Sequence, residues 1–174
     1  MAAEGVEEKG RRTKVMVAID ESECSRYALE WALHHLAEPL ASSLPLLLFT
    51  VQPFNTLGYI PAAAAGYGSA HALAAVPPAP GLIKSLQEHQ RKIALSLLES
   101  AEDLCATKGV VTEKITEVGD PKEAICEAVE KFKINLLIMG SHGRGALQRA
   151  FLGSISNYCV NNAKCPVLVV KKSV

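Results

Sequence analysis

Residues 135–156, NLLIMGSHGRGALQRAFLGSIS, constrain this chain more than any other stretch. Leu136, Leu137, Ile138 and Met139 form a short unbroken apolar run. Such a run suits a strand covered on both faces of a parallel sheet. Gly140, Gly143 and Gly145 follow, interleaved with Ser141, His142 and Arg144. Glycine lets the backbone take positive φ and approach a ligand closely. The helical pattern that comes next would aim its N-terminal amides, and the positive end of its dipole, back at this loop. Strand, glycine loop and helix N-terminus in that order make a candidate anion site, and phosphate is the obvious anion.

The spacing excludes the standard phosphate motifs. Gly140 and Gly145 have the gap of a Walker loop, but Ala146 stands where its lysine is needed. The dinucleotide fingerprint fails because the glycines run G-x-x-G-x-G, and NAKCPV lies where an acidic residue is required. Ser141 and Ser154 lack the glycine two positions earlier that a serine-hydrolase elbow demands. A different spacing does fit. Gly140, two residues, Gly143, nine residues, then Gly153 and Ser154 resemble the nucleotide-loop signature of the universal stress protein family. Three further segments are similar to that family in the right order: KVMVAID (14–20), with the aspartate at the strand end; Gly119-Asp120-Pro121, the turn before a helix; and CPVLVV (165–170), the last strand. The resemblance covers roughly residues 13 to 172.

Length and composition agree with a soluble globular domain. The 174 residues suffice for one domain with a sizeable core, and 49% hydrophobic with 21% charged residues is ordinary. Eighteen basic residues balance eighteen acidic ones, which argues against a general nucleic-acid binder. No apolar run is long enough to span a membrane. MAAEGVEEKGRRTK at the start has no apolar segment of a secretory signal. A cytoplasmic location, with the nucleus open, is the expectation. The five cysteines, 24, 105, 126, 159 and 165, include no C-x-x-C pair, so reduced thiols are expected. Cys105, Cys126 and Cys159 sit on apolar faces of expected helices and read as core residues, with Cys24 and Cys165 as the redox candidates.

Along the chain, residues 1–12 read as a flexible tail. The first strand is Lys14 to Ile19, followed by the turn DESECS and a helix to about Leu40. Asp20 is a candidate N-cap of that helix. Strand two occupies residues 45–51. Residues 52–80 hold five of the nine prolines and a glycine- and alanine-rich stretch. They predict a mobile insertion, with a lid or client-protein surface as the functional alternatives. A long helix from Leu82 to about Lys108 shows a stripe of Leu86, Ile93, Leu97, Ala101 and Leu104. Strand three, 110–118, alternates and suits an edge position. Asp120 caps a helix with Pro121 at its first position, running to about Lys133 over Ile125, Val129 and Phe132. Leu147, Phe151, Ile155 and Tyr158 line the expected inner face of the last helix, and Pro166 opens strand five.

Regular alternation of strand and helix means an α/β fold with a parallel sheet and helices on both faces. The pattern leaves the strand order open. The resemblance implies a three-layer α/β/α, Rossmann-like domain of the adenine nucleotide alpha hydrolase-like type over residues 13–172, with order 3-2-1-4-5. Strands one and four are then neighbours at the switch point, where such sheets bind ligands. It places the site on Ala18, Ile19, Asp20, Val51, Met139, Gly140, Ser141, His142, Gly143, Arg144, Gly153, Ser154, Ile155 and Ser156. The glycines would clear space for ribose and phosphates, Ser154 and Ser156 would donate to phosphate oxygens, and Arg144 would pair with a phosphate. Asp20 would accept from the adenine or ribose. The ligand implied is ATP, AMP or ADP, with Mg2+ as an accompanying ion. The long insertion is similar to plant-type members. Homodimerisation through strand 166–170 is also implied. The function expected is a nucleotide-dependent binding or regulatory module in the stress response. A slow ATPase or phosphotransferase and a chaperone-like interaction protein are the alternatives, and no catalytic or metal residues stand out.

Overall fold

The computed structural model describes residues 12–53, 80–142 and 152–172. The elements are β1 (Val15–Ala18), α1 (Glu23–His35), α2 (Ala37–Ser42), β2 (Leu46–Pro53), α3 (Pro80–Ala106), β3 (Thr112–Gly119), α4 (Pro121–Lys131), β4 (Leu136–Gly140), α5 (Ser154–Asn162) and β5 (Val167–Val170). All five strands are parallel, in the order β3-β2-β1-β4-β5. The tail 1–11 and the segment 54–79 lie outside the described residues.

The three strands with neighbours on both sides all carry continuous apolar runs. All four residues of β1 are buried, as are Leu46 to Phe49 of β2 and Leu137 to Met139 of β4. The alternating strand, β3, is at an edge. Successive strand residues point to opposite faces, and this divides the core in two. Val15, Val17, Leu46, Leu48 and Ile138 pack with Ala28 and Ala32 of α1 and Leu98 of α3. Met16, Leu47, Phe49, Leu137 and Met139 pack with Ile125 and Val129 of α4 and Cys159 of α5. The result is three layers, helices over both faces of one sheet.

Three helices depart from the expected pattern. The first does not run to Leu40; it stops at His35, and α2 begins at Ala37. Pro39 explains the break. It has no amide to donate to the carbonyl of residue 35, and its ring would crowd that carbonyl in a continuous helix. Leu36 between them has φ −119° and ψ 20°. The core face of α3 is Ala94, Leu98, Ala101 and Cys105. Of the expected stripe only Ala101 is fully buried; Leu86, Ile93, Leu97 and Leu104 are half-buried on its flank. On α5 the residues against the sheet are Ser156 and Cys159. Ile155 and Tyr158 are half-buried, and Leu147 and Phe151 lie outside the described residues.

The switch point follows from the connections. From β1 the chain passes to α1 on one face, and the helix after β4, α5, lies on the other. β1 and β4 are paired in register, Ala18 opposite Met139. A crevice therefore opens beyond their carboxyl ends.

Candidate functional site

Asp20 follows β1 at the mouth of this crevice. Its Oδ1 accepts from the amide of Ser22 at 2.9 Å and from the Ser22 hydroxyl. The expected N-cap role passes to Ser22, whose Oγ accepts from the amide of Ser25. Aspartate two residues too early to cap the helix makes an Asx turn instead. Ser25, buried, completes the turn: it donates to the Asp20 carbonyl at 2.8 Å and accepts from the Asp20 amide at 3.1 Å. The carboxylate is thus held in place from one oxygen. Among the described residues nothing hydrogen-bonds to its Oδ2.

Gly140, at the end of β4, sits beneath the first turn of α1. A β-carbon there would come within 2.6 Å of the Cys24 carbonyl carbon and 2.8 Å of the Ser25 nitrogen. Backbone cannot yield to that. Gly140 therefore makes room for α1, not for a ligand, which corrects the expected reason for this glycine. Its absence of a side chain brings the Asp20 turn against the β4 loop. His142 is tied to the same turn, its carbonyl 3.3 Å from the Ser22 hydroxyl and its Nδ1 3.0 Å from the Ser141 hydroxyl.

The Ser141 carbonyl is the second organising atom. It accepts from the amide of Gly153 at 2.7 Å and from the hydroxyl of Ser156 at 2.8 Å. Ser156 is 2% exposed and also lies 3.0 Å from the Gly153 carbonyl. The expected phosphate donor Ser156 is thus taken by the protein itself, as is the Gly153 amide. They pin the start of α5 to the end of β4. Gly153 is the N-cap of α5 at φ −68°, ψ 162°, with no side-chain cap. Ser154, the first helical residue, is exposed. Gly143 and Arg144 lie outside the described residues.

These elements enclose a pocket of about 220 Å3. Ala18, Ile19, Asp20, Val51, Met139, Gly140, His142, Ile155 and Ser156 line it, so nine of the expected residues converge. Ser141 is buried behind the wall, while Gly153 and Ser154 stand outside it. Four lining residues were not anticipated: Ser25, Pro53, Pro121 and Ile125. The signal for two of them was present. Asp120 caps α4 through the Lys122 amide, with Pro121 at its first turn. A helix starting after a parallel strand opens onto the same end of the sheet. Among the described residues Asp20 is the one carboxylate in the lining. Among the described residues no group of three His, Cys, Asp or Glu side chains could hold a metal ion.

A larger hollow of about 940 Å3 lies between α1 and α3 and shares Ile19, Asp20 and Ser25 with the first. It is further from β4 and touches neither Gly140 nor α5. The smaller pocket, at the switch point, is where polar turn, strand ends and helix start meet.

Comparison with known proteins agrees with this architecture. The model of the universal stress protein family matches residues 11–171. The chain is 29% identical over 170 residues to a universal stress protein A-like protein of Arabidopsis thaliana, covering 92% of this chain and 91% of that one. The structure superposes on universal stress protein UspA from Lactobacillus plantarum with a TM-score of 0.72 at 20% identity, covering 92% and 98% of the two chains. It superposes on an Arabidopsis thaliana family protein with AMP bound at TM-score 0.62 and 27% identity, with 93% of each chain covered. No helix among the described residues is long and apolar enough to cross a membrane. With a family model matched from residue 11 to residue 171, this chain belongs to the universal stress protein family.

Proposed function

We propose that the pocket at the ends of β1 and β4 binds an adenine nucleotide, and that the chain acts as a nucleotide-responsive binding module in the stress response. The observation that carries this is the start of α5. Three helices begin around the pocket. Ser22 caps α1 and Asp120 caps α4 through their side chains, while α5 begins at Gly153 with no side-chain cap. Its first-turn amides and the exposed Ser154 hydroxyl suit a phosphate. The AMP-bound Arabidopsis relative supports the choice of ligand.

A pocket of about 220 Å3 suits a base and ribose, leaving the phosphates outside over α5. Val51, Met139, Ile125 and Ile155 supply apolar walls for the purine, and Asp20 accepts from a ribose hydroxyl or the adenine amine. Gly143 and Arg144 remain phosphate contacts on sequence grounds alone. ATP, ADP and AMP share the part of the ligand that the pocket holds, and Mg2+ would arrive with the phosphates. Among the described residues one carboxylate and no lysine line the pocket, which favours binding over turnover. The second element of the proposal is a homodimer through β5, and client proteins on residues 52–80 are a third.

Equilibrium dialysis with ATP, ADP and AMP tests the nucleotide. Retention of all three, with negligible ADP released from ATP, is the expected result. A folded protein that retains none would overturn the proposal, and steady ADP release would replace the binding module by an ATPase.

A further inference from the structure

Cys126 on α4 and Cys159 on α5 pack into the same apolar cluster on one face of the sheet, near enough for each thiol to bear on the other's titration. Cys165 packs against the same cluster. All are free thiols; Cys159 is fully buried, while Cys126 and Cys165 are half-buried. Ile125, next to Cys126, lines the nucleotide pocket. Ile155 lines it too, one helical turn before Cys159. The two thiols therefore sit directly behind the two helices that wall the pocket.

We propose that Cys126 and Cys159 form a reversible disulfide that ties α4 to α5 and slows nucleotide exchange; the effect on exchange rests on the nucleotide-binding proposal above. Burial pushes the Cys159 thiol up to about 12 and raises Cys126 as well. The accessible Cys126 is then the first nucleophile, and a slow one. With hydrogen peroxide as oxidant, the Cys126 sulfur attacks the O–O bond, becomes a sulfenic acid, and one water leaves. The Cys159 sulfur then displaces hydroxide from the Cys126 sulfur, and the Cys159 proton departs with it as a second water. Two thiols are oxidised by two electrons in total, and one peroxide is reduced. A dithiol reductant reverses the step by exchange.

Trypsin separates the three cysteines, leaving Cys126 in 123–131, Cys159 in 150–164 and Cys165 in 165–171. Full-length protein treated with peroxide and mapped without reduction should yield 123–131 joined to 150–164. Cys165→Ser should preserve that cross-link and Cys159→Ser should abolish it. A map showing no such pair, or 123–131 joined to 165–171, overturns the proposal. Release of AMP from oxidised protein should be several-fold slower than from reduced protein, and dithiothreitol should restore the faster rate. An unchanged release rate with the cross-link formed overturns the exchange effect. Reduced protein that retains no AMP defeats the nucleotide proposal instead, while the peptide map still decides the thiol pair.

Discussion

Two serines at the start of α5 have the same side chain and opposite duties. Ser156 is buried and bonded to the Ser141 carbonyl; Ser154 is exposed above it. Ser156→Ala should therefore lower stability by about 1 kcal/mol, since the carbonyl keeps the Gly153 amide. Ser154→Ala should leave the thermal melt unchanged and weaken AMP binding, by about 1 kcal/mol for one lost hydrogen bond. Melts with and without AMP separate the two. Gly140→Ala is a harsher change, because the added carbon meets backbone on α1 at 2.6 Å. Overpacking against atoms that cannot rotate away should cost about 3 kcal/mol, read as a shifted denaturant midpoint in protein without nucleotide. A loss confined to nucleotide affinity, with stability intact, would contradict that packing role. Sequence could supply the residues of this turn but not their division of labour. Serine at 154 and at 156 satisfies the same pattern, and only the helix's rotation against the sheet decides which one faces inward.

At the level of elements, what was legible was local chemistry. Asp120 and Pro121 begin α4 as their types dictate. Asp120→Ala should cost about 1 kcal/mol by leaving the Lys122 amide without its 2.9 Å bond. It should also loosen Pro121 at the pocket wall, so that AMP affinity and stability fall together in paired melts and dialysis. The strand order came from the family resemblance, since alternation of strands and helices is the same for many orders. Pro39 carried the break after α1, yet the apolar spacing ran through it and masked the signal. On α3, leucines and isoleucine lie on adjacent faces, and periodicity alone cannot choose between them. Contact with β2 and β3 selects Ala94, Leu98 and Cys105, small enough in part for close approach to the sheet. Pro53 and Ile125 escaped notice as pocket residues because they come from segments far apart in sequence, which only the sheet order brings together.

For the whole molecule, the edge beyond β5 is where the proposed dimer is tested. Strand β5 has β4 on one side, and among the described residues no strand on the other. Pro166 and Val170 turn their carbonyls to the amides of Leu137 and Ser141, so Val167 and Val169 present theirs outward. An apolar edge of this kind is normally covered, and an antiparallel copy of itself across a two-fold axis would cover it. Val169→Pro removes one outward donor and leaves the β4 ladder intact. Sedimentation at micromolar protein should show a dimer for the unaltered chain and a monomer for the variant; a monomeric unaltered chain would refute the dimer. The Ser141 carbonyl has a reach beyond its own bonds. By holding Gly153 and Ser156, it joins the two places where residues 142–152 depart and return. The span between is closed at its base by the framework itself, so lengthening it costs only a slowly growing loop-closure entropy. A change in the length of this stretch should therefore leave strand, helix and register as they are.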